Sequence, residues 1–153
     1  MKKLTSVLIS GLLLVGTVAC DTASKTSQSA PGSVNESPQV PDVQATQASQ
    51  QDAQSDVRRR QLDSDIRARE QRNNATGGDA QRAEGDLASE VRSKLEANIP
   101  NGQLTVNAEQ DGTVVVAGTV NNQDQLAKIE PLAKEIKGVK SVVVKAVVAP
   151  PSN

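Results

Sequence analysis

The stretch "DGTVVVAGTV", residues 111–120, decides the fold. Asp111-Gly112 is a turn signal, and the valine-rich run behind it has the composition of a β-strand. Gly118 stands inside that strand, where a glycine marks a bend, a bulge or the close approach of another backbone. Just before the turn, "LTVNAEQ" alternates Leu104, Val106 and Ala108 against Thr105, Asn107 and Glu109, the period of a half-buried strand. Register selects the turn. A two-residue loop would set Val114 and Val116 opposite Glu109 and Asn107, so the apolar faces would disagree. A three-residue loop, Gln110 to Gly112, pairs Ala108 with Val114, Val106 with Val116 and Leu104 with Gly118. It is expected as a type I turn with Gly112 left-handed in a bulge.

Helical patterns flank the hairpin. "DLASEVRSKLEANIP" places Leu87, Val91, Leu95 and Ile99 four residues apart, and Pro100, Asn101 and Gly102 end the run. "NNQDQLAKIEPLAKEIKG" has Asn121 or Asn122 as cap, a stripe of Leu126, Ile129, Ala133 and Ile136, and Gly138 as its stop. Pro131 predicts a kink or a break in it, since it lacks the N–H that would bond Ala127. "VKSVVVKAVV" is a third strand with Val142, Val144, Ala146 and Val148 inward. The order helix, strand, strand, helix, strand makes strands two and three parallel. The expected fold is therefore α+β: a small αββαβ domain over residues 86–148, whose three-stranded mixed sheet is covered by two helices on one face, with 149–153 as a tail. The other sheet face would hold Val115, Ala117, Val143 and Val147 beside Thr119 and Lys145. Either the tether or tail covers it, or a partner does.

The rest of the chain has a different composition. "MKKLTSVLISGLLLVGTVAC" has a basic start, an apolar run that is short for a membrane span, and small residues before Cys20, the layout of a secretory signal over residues 1–19. Its "TVAC" ending resembles a bacterial lipobox. That resemblance implies that Cys20, the only cysteine, carries the lipid anchor and becomes the mature N-terminus. The alternative is an ordinary cleavage site or an uncleaved anchor with a free thiol. Asp21 resembles a signal that retains some lipoproteins in the inner membrane. Residues 20–85, rich in Ser, Thr, Gln, Pro and Ala, bury too little apolar area to offset their ordering entropy, and read as a disordered tether. One insert stands out: "SDVRRRQLDSDIRAREQRNN" predicts a short helix over 56–72. It has (i, i+4) pairs Asp63–Arg67 and Asp65–Arg69 and only Val57, Leu62 and Ile66 as apolar content. Its arginines suit either a solvated helix or contact with anionic headgroups or a partner.

Composition bounds the function. Seventeen basic residues against eighteen acidic ones give no global field toward nucleic acid, and there is no His, Trp, Tyr or Phe. That removes the commonest general base and metal ligand, and the rings on which single-stranded nucleic acids stack. No spacing assembles a nucleophile with a base and its orienter, so neither an enzyme, nor a metal, nor a cofactor is expected.

The helix "LASEVRSKL", the strand "DGTVVVAGTV" with its turn and inner glycines, and the ending "GVKSVVVKAVV" together resemble the BON domain of bacterial envelope proteins. The resemblance implies the αββαβ fold, association with phospholipid or envelope partners, and no catalysis. Joined to the lipobox reading, the expectation is a lipid-anchored, periplasm-facing envelope protein whose BON-like domain engages phospholipid surfaces or envelope assemblies and supports envelope integrity, including under osmotic stress. Lys128, Lys134, Lys137, Lys140 and Lys145 are the candidate contacts to anionic headgroups, each attracting such lipid by about 1 kcal/mol near the surface. Glu130 and Glu135 lie among them, so these lysines also read as a solvated mixed-charge face. The competing function is a protein-interaction module that docks on another envelope protein through its open sheet face. Gly112, Gly118 and Gly138 carry structural rather than chemical roles.

Overall fold

The computed structural model describes residues 23–76 and 83–152. Within them, α3 (Glu84–Asn98), β2 (Gln103–Ala108), β3 (Thr113–Val120), α4 (Gln123–Lys134), β4 (Ser141–Val144) and β5 (Val147–Val148) follow the expected order. The hairpin has the three-residue loop: Ala108 pairs with Val114, Val106 with Val116 and Leu104 with Gly118. The Glu109 amide donates to the Thr113 carbonyl across its base (2.8 Å), and Gly112 takes a φ of 86°. Both β4 and β5 run parallel to β3, as a crossover through α4 requires.

The core lies between this sheet and one layer of helices. Leu87, Val91, Leu95 and Ile99 from α3 meet Leu104, Val106, Val114 and Val116 from the sheet. Ile129 and Ala133 of α4 complete it. Asn122 caps α4 by accepting the Gln125 amide at 2.9 Å.

Pro131 neither stops α4 on the spot nor lets it reach Gly138. The helix runs one turn past it to Lys134. The amides of Glu135, Ile136 and Val139 then bond three residues back rather than four, so the chain tightens into short turns before Gly138. Ile136, expected on the helix, is buried from one of these turns.

The third strand differs from expectation in two ways. It is interrupted at Lys145 and Ala146, although the register is the same on both sides: Thr113 pairs with Ser141 and Thr119 with Val147. In that register the gap faces Ala117 and Gly118, and Gly118 has a φ of 122°, outside strand geometry. The ladder breaks where β3 turns away. Moreover, Val144 and Val148, expected inward, are exposed, while Val142 and Ala146 do reach the core. Both exposed valines lie on the edge of the described sheet.

Upstream residues are laid against this unit. Ser24–Lys25 form β1, antiparallel to the free edge of β2, so the described sheet has five strands. Residues 26–42 then cross the outer face as a strap. Thr26 donates its amide to the Leu104 carbonyl (2.8 Å) and accepts the Leu104 amide on Oγ1 (2.9 Å). The Ser27 hydroxyl donates to Gln103 Oε1, and Thr105 Oγ1 donates to the Pro31 carbonyl at 2.5 Å. Val34 packs on Val115 and Ala117, and all three are buried. The strap ends at the opposite edge, where Asp42 bridges Ser152. Asp42 also caps α1 (Val43–Gln54), accepting the Gln44 and Ala45 amides.

The helix expected over 56–72 is present and longer, as α2 (Asp56–Thr76). The Ser55 hydroxyl accepts the Arg58 amide at its start. Its charges pair mainly with α3 rather than along their own helix: Arg69 meets Asp86 at 2.6 Å, and Asp65 lies 3.9 Å from Arg92. Residues 43–54, expected without regular structure, are helical because Asp42 caps a run of Gln and Ala with good helix propensity. Cys20, Asp21 and the signal segment 1–19 lie outside the described residues.

Candidate functional site

With α3 and α4 on one face and the strap on the other, the uncovered apolar surface gathers on β4 and β5. Val143 and Val147 are 44% and 45% exposed on the outer face, and Val144 and Val148 are 37% and 39% exposed on the inner one. Of the described residues, only Val40 and Val57 are other large hydrophobic side chains so exposed. The strand is also the edge of the described sheet: β3 occupies one side, and among the described residues no strand pairs along the other. Its end is closed by the Ser152 amide, which donates to the Pro41 carbonyl. The result is a valine ribbon, apolar above and below, with an open row of backbone donors and acceptors.

The five candidate lysines divide by position. Lys140 immediately precedes β4 and Lys145 sits between β4 and β5, so these two belong to the ribbon; both are exposed. Lys145 Nζ donates to Asn35 Oδ1 of the strap at 3.0 Å. The Lys140 amide donates to the Gly112 carbonyl (2.9 Å), which ties the hairpin turn to the ribbon's start. Beside it, the Asp111 carboxylate accepts the Thr113 amide at 2.8 Å. That bond, with help from Lys140, holds Asp111 below its ordinary pKa. Lys128 and Lys134 stand on α4, where Glu130 engages Lys134 at 2.6 Å, and Lys137 follows the helix. The fold thus brings two of the five to the apolar ribbon.

Residues 83–150 match the family model described as BON domain. The matched stretch runs from α3 through β5, the unit built around the hairpin, and supports the BON-domain family there. It also points to a phospholipid-binding or envelope-associated role for the BON-matched region. Comparison with curated proteins and with solved structures gave no match.

Among the described residues no group of acidic side chains is arranged to hold a metal ion, and no helix is long and apolar enough to cross a membrane. An open cleft lies between the strap and the first two helices, lined by Lys25, Ser27, Ala45, Ser49, Asp52 and Arg58. No pair of its side chains forms a nucleophile and base. The valine ribbon is the stronger site. Val143 and Val147 were legible from alternation, whereas Val144 and Val148 were missed. Those two lie on the sheet's edge, and alternation carries no signal of an edge.

Proposed function

We propose that this is an envelope protein, lipid-anchored at Cys20 and facing the periplasm, whose BON-matched region binds anionic phospholipid surfaces and supports envelope integrity, including under osmotic stress. The observation that carries the reading is the ribbon: four valines exposed on one edge strand, with Lys140 and Lys145 within it. Valines enter the headgroup boundary and the lysines meet lipid phosphates, each such lysine contributing about 1 kcal/mol near an anionic surface. No aromatic belt is needed for an anchored protein. Cys20 lies only four residues before β1, so the anchor already holds the region near the bilayer and weak contact suffices. Asp21 favours the inner membrane.

A second reading has its own observation. The unpaired backbone along β4 suits addition of a strand from another envelope protein, with affinity from main-chain hydrogen bonds. This replaces docking on the whole open sheet face, because the strap buries Val115 and Ala117.

Vesicle flotation of the chain carrying Cys20→Ser separates the readings. Lipid contact predicts co-flotation with anionic vesicles that weakens as salt rises and is absent with zwitterionic ones. Failure to float with vesicles of any composition contradicts it.

A further inference from the structure

The arginine-rich helix α2 is bound to α3 in an unusual way. Positions 58, 62, 65, 69 and 72 recur at steps of four and three, the seam of an antiparallel helix pair. Such a seam is ordinarily apolar. Here it holds Arg58, Leu62, Asp65, Arg69 and Arg72, and Leu62 is the only buried hydrophobic side chain among the described residues of α2. The partners run in opposite order along α3. Arg58 forks onto Glu96, with Nε to Oε1 at 2.6 Å and Nη2 to Oε2 at 3.1 Å. Arg92 reaches the same Glu96 at 2.8 Å and Asp65 at 3.9 Å. Arg69 and Arg72 both hold Asp86, at 2.6 and 3.1 Å. Asn73 Nδ2 donates to Glu90 Oε1 at 3.4 Å.

Glu90 and Glu96 are buried, although no part of the apolar core lies over them. What covers them is α2. Apart from Leu62, the helix is therefore held by charge, while the BON-matched region is held by an aliphatic core that salt does not weaken. The arginine side chains of α2 remain partly open to solvent, between 25% and 60% exposed, so ions reach the seam from that side, while Arg92 of α3 is 13% exposed. The screening length falls from roughly 10 Å at 0.1 M salt to roughly 3 Å at 1 M. Ions weaken the attraction in the closed seam and solvate the separated charges, and both effects favour opening.

We infer that α2 is a salt-released cover: at low ionic strength it shields the acidic stripe Asp86, Glu90 and Glu96 of α3, and at high ionic strength it lifts away while the sheet and its core stay folded.

Amide hydrogen exchange on the full chain with Cys20→Ser tests this in dilute buffer and in about 1 M sodium chloride. The expected result is that protection over 56–76 falls about tenfold or more in salt, while β2 and β3 keep theirs. Sucrose at the same osmolality leaves α2 protected, because it does not screen charge. Arg58→Gln lowers α2 protection already in dilute buffer and flattens its salt response, with β2 and β3 reporting that the variant is folded. Four outcomes overturn the inference: α2 protection that ignores salt, protection lost together with β2 and β3, an equal loss in sucrose, or no protection of α2 in either buffer.

Discussion

Alanine at Gly118 would put a Cβ onto the Gln103 carbonyl oxygen of the paired strand, with Leu104 Cα 3.1 Å away. The backbone there has a φ of 122°, which a side chain strongly disfavours. Gly118→Ala is therefore expected to cost at least about 1–3 kcal/mol from backbone strain, with the clash in addition. A urea midpoint equal to that of the parent chain would contradict this. Gly118 pairs with Leu104, and of the reasons for a glycine inside a strand the one found is the close approach of another backbone, that of β2. At Asp111 the physics is electrostatic. Its folded pKa is lowered, first by the Thr113 amide, so its stabilising contribution is complete above the ordinary carboxylate value and is lost as pH falls through the folded pKa. The stability gap between the parent chain and Asp111→Ala should narrow on acidification. A gap that stays constant from neutral pH to below the carboxylate range would show that the turn does not depend on this charge.

At the scale of elements, the strap is the piece most open to a direct test. Val34 buries its side chain against Val115 and Ala117, a contact worth about 1.5–3 kcal/mol by the usual area scaling. Val34→Asp should lift the strap and free the Thr26 amide, now bonded to Leu104, to exchange with solvent. Unchanged Thr26 protection would mean that the strap is held by its ends alone. The hairpin, both core helices and the parallel crossover were legible in the sequence because each has a period that only one face satisfies, as in Leu104, Val106 and Ala108 against Val114 and Val116. The strap and the partners of α2 were not. Their contacts join residues far apart in sequence, Thr26 to Leu104 and Arg58 to Glu96, and none has a period to read. The exposed Val144 and Val148 were misread for a related reason. Alternation tells which face a side chain takes, not whether its strand lies at the sheet's edge.

At the scale of the whole molecule, one aliphatic core supports two attachments of different kinds. The strap closes most of the outer sheet face through backbone bonds and Val34, while α2 closes the outer side of α3 through ion pairs. What stays open is the β4–β5 ribbon, the surface on which the proposed membrane contact rests. The most direct measurement is vesicle flotation of the Cys20→Ser chain beside the same chain carrying Val143→Asp and Val147→Asp. Both valines are nearly half exposed, so the double variant should still unfold cooperatively in urea, at a lower midpoint than the parent. It should lose binding to anionic vesicles by about tenfold or more, since two apolar contacts are removed and two repelled charges are added. Flotation of the folded double variant as complete as that of the parent would contradict the assignment of membrane contact to this edge.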